Sequence, residues 1–143
     1  MKICFDTSVL VAALLRGHPQ HAMAFVRLLA VQQKQVQGFL TTHALAEVYA
    51  TLTALPIKPR LQPAETQRML QQSILSHFKT IQLTPGHYTA ALDLTVKQGL
   101  NSGAIYDALH LIGARAAGCD QLLTFNQRHF QALAPQDAIF ATP

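Results

Sequence analysis

Five short apolar runs, separated by longer stretches whose apolar residues recur at helical spacing, constrain this chain more than any other feature. The runs are Lys2 to Asp6, Gln37 to Thr41, Phe78 to Leu83, Gln121 to Phe125 and Ala138 to Ala141. Between them the pattern predicts helices over Thr7–Arg16, Gln20–Gln35, Thr42–Leu55, Pro63–His77, Thr84–Gln98 and a stretch from Ser102 to Gly118, with a short one over Asn126–Leu133. On the Thr42–Leu55 helix, Leu45, Val48, Leu52 and Leu55 form one apolar face. Asp6 or Thr7 can cap the first helix, Thr84-Pro85 opens another, and Ser102 can cap the helix that ends at Gly118. Gly17-His18-Pro19 and the Pro56 to Arg60 segment read as breaks. Strands that alternate with helices need crossover connections, so the fold class is α/β, with a mostly parallel sheet of four to five strands covered on both faces. No repeat or low-complexity tract divides residues 1–143, which read as a single domain.

Composition narrows the class. Half the residues are apolar and 13% are charged, which excludes a disordered chain. No apolar run is long enough for a membrane span, and the start meets an acid too early for a signal peptide. Cys4 and Cys119 both fall in predicted strands, where a buried reduced pair is expected, consistent with a cytoplasmic protein. The formal charge of +4 arises from scarce acids rather than from a basic block, so it permits a phosphate-bearing partner without requiring one.

Only seven carboxylates exist, and three of them sit in apolar surroundings. Asp6 ends the first apolar run, Glu47 interrupts Ala44-Leu45-Ala46-Glu47-Val48-Tyr49, and Asp107 lies in Ile105-Tyr106-Asp107-Ala108-Leu109. An ionised carboxylate is costly to bury uncompensated, and no Lys or Arg stands beside any of the three in sequence. A shared hard cation with oxygen ligands would compensate them. In open parallel sheets the ligand crevice lies beyond the carboxyl ends of the strands, where Asp6 and Asn126 both fall. Each acid also has a plain structural role open to it. Asp6 suits an N-cap, Asp107 the positive end of a helix, and Glu47 a solvent edge.

The remaining polar residues carry less. Asp93 and Glu65 read as solvated helix faces and Asp137 as a loop acid, while Asp120 lies at the wrong end of its strand to join the others. The seven histidines form no set with structural-zinc spacing, and His110 reads as a helix-face or core residue. Arg115, Arg128 and the Lys58-Pro59-Arg60 loop could hold phosphates, but no basic run interleaved with aromatics marks a stacking platform. A P-loop motif is absent, and no lysine follows the late strand as a phospho-receiver would need.

The combination Asp6-Thr7-Ser8, Glu47, Tyr106-Asp107-Ala108 and Leu122-Leu123-Thr124-Phe125-Asn126 resembles the PIN-domain nucleases, in particular the VapC toxins of toxin–antitoxin pairs. The resemblance spans essentially the whole chain. It implies a three-layer α/β/α fold and an endoribonuclease dependent on Mg²⁺, with Mn²⁺ as substitute. Asp6, Asp107 and Glu47 would form the metal site, a homodimer would carry it, and a cognate antitoxin would cover it. Thr7, Ser8 and Thr124 would hydrogen-bond the carboxylates. One position departs from the family's commonest pattern. Asn126 stands where many relatives have a fourth acid, which lowers the cluster's charge. The competing expectation is a PIN-fold module that binds RNA or a protein partner with weak or no catalysis.

Overall fold

The computed structural model describes residues 1–143 as a three-layer α/β/α sandwich. Five strands, β1 (Lys2–Phe5), β2 (Gln37–Thr41), β3 (Lys79–Ile81), β4 (Gln121–Leu123) and β5 (Phe140–Ala141), form one sheet in the order β3-β2-β1-β4-β5. Every pairing is parallel, so the expected "mostly parallel" sheet is wholly so. The helices are α1 (Thr7–Leu14), α2 (His21–Gln32), α3 (Thr42–Ala54), α4 (Pro63–Leu70), α5 (Pro85–Lys97), α6 (Ala104–Ala116) and α7 (Gln127–Leu133).

Strand alternation divides the core in two. Ile3, Phe5, Leu40 and Leu123 face α1, α2, α3 and the end of α4, packing with Val9, Leu10, Leu28, Val48, Leu52 and Ile74. Cys4, Phe39 and Leu122 face the opposite side, against Ala91 of α5, Leu109 and Leu111 of α6, and Phe130 and Leu133 of α7. The side chains of β1 thus feed both layers, as period-2 alternation requires of a strand buried on both faces.

Several expected boundaries shift for local reasons. The helix from Pro63 turns π-helical over Gln71–Leu75 instead of running on to His77, and Ser76 Oγ donates to the Gln71 carbonyl at 2.7 Å where the ladder ends. Ser102 does not cap α6. It adopts φ +53°, Gly103 takes the N-cap position, and no side chain caps the helix. Cys119 lies outside the strands, in the turn before β4, although both cysteines are buried and reduced as expected. Gly118 follows the last turn of α6 at φ +65°, a conformation that costs glycine nothing.

Gly38 shows how closely β2 is covered. A Cβ there would stand 2.6 Å from Val31 Cγ1 and 2.8 Å from the Phe78 ring. Gly38→Ala is therefore expected to cost about 1–3 kcal/mol through overpacking. Urea unfolding checks this, and an unchanged midpoint would mean that the cover over β2 is loose.

Candidate active site

Sheet topology brings the three acids to one edge. Asp6 directly follows β1, whose neighbours β2 and β4 lead into α3 and into the Thr124–Asn126 segment. Glu47 lies in α3 and Asp107 in the first turn of α6. Asp6, Thr7, Ser8, Glu47, Asp107 and Asn126 line one cavity of about 360 Å³, with His18, Gln20 and Thr51 at its margin.

Asp6 is 3% exposed and held from three directions. Its Oδ1 accepts the Thr7 backbone N–H at 2.7 Å, and its Oδ2 accepts the Ser8 and Thr124 hydroxyls, each at 2.8 Å. These partners are themselves fixed, because Ser8 Oγ accepts from the Phe125 N–H at 3.2 Å and Thr124 Oγ1 from the Asn126 N–H at 2.9 Å. Asp6 is at once the N-cap of α1 and a wall of the cavity, so its structural and site roles are compatible.

Glu47 is gripped on one oxygen. Oε1 receives the His110 Nε2 bond at 2.8 Å and the Thr7 hydroxyl at 3.2 Å, and His43 Nε2 stands 3.3 Å away. The His43 contact is an ion-pair distance without hydrogen-bond alignment, and this buried nitrogen has no hydrogen-bond partner. Burial pushes the Glu47 carboxyl up, but the His110 bond, the His110 and His43 charges and the Thr7 bond outweigh it, leaving the carboxyl below its ordinary value.

His110 is the site residue that sequence reading missed. It is 1% exposed, as a core histidine would be, yet it joins three elements of the site. Its Nδ1 shares a hydrogen bond with Thr41 Oγ1 at 2.9 Å, its Nε2 meets Glu47, and Asp6 Oδ1 lies 3.7 Å from that same nitrogen. Burial pushes its pKa down, but the Glu47 bond and the Asp6, Glu47 and Asp107 charges outweigh that, for a net rise. The sequence did carry a signal. His110 follows Asp107 by three positions on one helix, and His43 precedes Glu47 by four, so each histidine shares a helix face with an acid.

Asp107 is the uncompensated member. Burial and the Asp6 charge push its carboxyl up to about 6, against opposing help from His110 and His129. Its Oδ2 lies 3.4 Å from His129 Nδ1, an exposed contact. The other basic candidates separate. Arg115 pairs with Asp137 away from this edge, whereas Arg128 lines a second cavity beside Glu47 and Asp107.

The donor set suits a hard divalent cation, since apart from His18 the polar lining consists of carboxylates, side-chain amides and hydroxyls, which would ligate through oxygen. The Asp107 carboxyl is raised by burial first and by the Asp6 charge second, and a bound cation would favour its ionised form against both. No three His, Cys, Asp or Glu side chains are gathered closely enough to hold a metal ion, so the expected set of Asp6, Asp107 and Glu47 does not form a single ligand group. Mg²⁺ keeps several waters and is usually bound through one or two carboxylates. Asp6 and Asp107 line the same cavity, and their oxygens would suit a partly hydrated cation.

An acidic pocket at the carboxyl edge of a five-stranded parallel sheet defines the class. The chain belongs to the PIN-domain family, whose pattern matches residues 3–134. Among characterised relatives it is similar to Ribonuclease VapC27 of Mycobacterium tuberculosis, 34% identical over 112 residues, which cover 78% of this chain and 76% of that protein. It is 36% identical over 123 residues to Ribonuclease VapC40 of the same species, covering 86% and 85% of the two chains. Two solved structures share the fold. Mycobacterium tuberculosis VapC20, described as a sarcin-ricin loop cleaving toxin, superposes with a TM-score of 0.72 at 18% identity, over 91% of this chain and 94% of that one. VapBC2 from Rickettsia felis, bound to a promoter DNA fragment, does so with a TM-score of 0.70 at 21% identity, over 100% and 99%.

Proposed function

We propose that this protein is a Mg²⁺-dependent endoribonuclease, with Mn²⁺ as substitute, and the toxin of a toxin–antitoxin pair. The observation that carries the reading is the convergence of Asp6, Glu47, Asp107 and Asn126 on one cavity at the sheet edge. The ribonuclease names of its relatives agree with that chemistry. Asp6 and Asp107 would hold the cation, which when bound would polarise water and offset charge on the phosphoryl oxygens.

The chain's own groups have separable tasks. His110 and Thr7 fix Glu47 through Oε1, and Oε2 is left to accept the proton of the attacking water. The water oxygen would bond to phosphorus as the ester bond to the leaving oxygen breaks, and that oxygen would take its proton from solvent. Ser8 and Thr124 hold Asp6 so that it does not rotate as charge changes nearby. Asn126 would contact a bound water or the scissile phosphate through its amide. A cognate antitoxin and a second copy of this chain are the proposed protein partners, in line with relatives solved as VapBC and other toxin–antitoxin complexes. No helix is long and apolar enough to cross a membrane, and the cytoplasm is the proposed location.

Expression of the wild type and of Asp107→Asn in bacteria, with RNA ends mapped across the transcriptome, tests the reading. New ends at discrete sites are expected with the wild type alone. Identical end maps from both proteins would refute it.

Asn126 supplies a sign test. Asn126→Asp adds a carboxylate of nearly the same shape to the cavity. Without metal it should lower the melting temperature, because a further anion joins the cluster. With Mg²⁺ the stabilisation by metal should be larger than in the wild type. Equal shifts in both conditions would place residue 126 outside the metal's reach.

A further inference from the structure

The acidic cavity has a neighbour that the cleavage chemistry does not use. A cavity of about 480 Å³ shares Glu47 and Asp107 with it and is otherwise lined by residues including Asn101, Gly103, Tyr106 and Arg128. That volume is within the range of small-ligand sites. Tyr106 is 46% exposed, yet its ring is fixed, stacked on His43 at 4.7 Å between centroids and 17° between planes. His43 in turn lies 5.8 Å from the buried His110 ring. One face of Tyr106 is therefore covered by a rigid stack, and half its surface is open beside the acids. Arg128 is exposed on α7 and forms no ion pair, although an arginine near several acids would ordinarily find one.

We propose that this second cavity is a stacking subsite for an unpaired nucleotide flanking the scissile phosphate, its base lying on Tyr106 and its phosphate held by Arg128. The inference rests on the reading of the acidic cavity as an RNA-cutting site and names the form of RNA it takes. Three physical features favour a single-stranded nucleotide. An aromatic face is sequence-tolerant, because every base has a π-surface to stack on it. A preformed ring stack orders little on binding, so stacking there is not offset by a large entropy loss. The cluster of carboxylates repels phosphate, and the Arg128 guanidinium in the adjoining cavity offsets that repulsion for the flanking nucleotide. A duplex would keep its bases paired and offer none to Tyr106. The aromatic–basic platform is invisible as a sequence run because His43, Tyr106 and Arg128 come from three different helices.

Binding separates the subsite from the chemistry. The full chain carrying Asp6→Asn serves as a non-cleaving parent, titrated in Mg²⁺ buffer with a fluorescent oligouridylate. The parent should bind, and adding Tyr106→Ala should weaken binding about 10-fold, whereas Tyr106→Phe should not. Arg128→Gln should weaken it too, and should lower the slope of log affinity against log salt by roughly 0.7, the value of one single-strand phosphate contact. An abasic ribose-phosphate oligomer of equal length should bind the parent more weakly than oligouridylate and should be indifferent to Tyr106→Ala. The abasic comparison needs no change at Tyr106, so it decides the question even if Tyr106→Ala does not fold. Equal affinity of the parent for the two oligomers would overturn the subsite alone, provided wild-type protein cuts RNA. A parent that ignores RNA and a wild type that leaves it intact would overturn the cleavage reading together with the subsite.

Discussion

Asp6→Asn and Asp107→Asn are each expected to lower RNA cleavage by on the order of 10³-fold, because in the proposed mechanism each removes an anionic ligand worth several kcal/mol of transition-state stabilisation. Neither should unfold the protein. Asparagine is nearly as good an N-cap as aspartate, so α1 keeps its start in Asp6→Asn. Asp107→Asn should be more stable than the wild type without metal, with a characteristic dependence on pH. The Asp107 carboxyl titrates near 3.8 when unfolded and at about 6 when folded, so the folded state holds the proton more tightly. Metal-free wild type therefore loses stability as pH rises from about 4 through about 6, by at most roughly 3 kcal/mol. The asparagine variant lacks this loss. Its advantage should be small at pH 4, grow through this window, and level off above it. Saturating Mg²⁺ should shrink the advantage by stabilising the wild type. Chemical unfolding at several pH values reads all of this, and a gap that does not vary with pH would show that Asp107 is not strained by its neighbours.

Much of that account was legible before any coordinates. A carboxylate placed after a buried strand, and two more inside apolar helical stretches, need compensation wherever the chain puts them. Parallel topology then sends strand ends to one edge. What stayed hidden depends on approach between distant segments. His110 and Glu47 are 63 positions apart, and nothing local distinguishes a histidine that fills the core from one that also grips an acid. The two roles proved to be the same residue. Compensation of Glu47 comes partly from this imidazole, so the argument that all three acids need a cation holds with most force for Asp6 and Asp107. Ser102 was likewise a reasonable cap by residue type, but its positive φ hands the cap position to Gly103. The expected β3 runs beyond both ends of the paired strand and the expected β5 starts two residues early, because apolar residues (Phe78 and Leu83, Ala138 and Ile139) flank the paired positions.

His110→Ala should be the most damaging single change in the site outside the acids. It opens a cavity between β2 and α6, removes a partner of Thr41 Oγ1, and strips the 2.8 Å donor from Glu47. The expected cost is about 2–4 kcal/mol of stability, combining lost packing with a broken buried polar pair. Cleavage should fall as well, because Glu47 then loses the donor that fixes its orientation. A double-mutant cycle with Glu47→Gln isolates the pair. Coupling of about 1–3 kcal/mol is expected for residues in direct contact. Additive effects would mean that His110 serves the core alone and that Glu47 is positioned by Thr7.

Metal dependence of cleavage by the purified protein bears most directly on the central claim. Wild type and Asp107→Asn would be incubated with a structured RNA in Mg²⁺, in Mn²⁺ and in excess chelator. Cleavage is expected from the wild type with either ion, none in chelator, recovery when Mg²⁺ is restored, and none from Asp107→Asn under any condition. Robust cutting in chelator, or by Asp107→Asn, would contradict the assignment of Asp6 and Asp107 to a catalytic divalent cation.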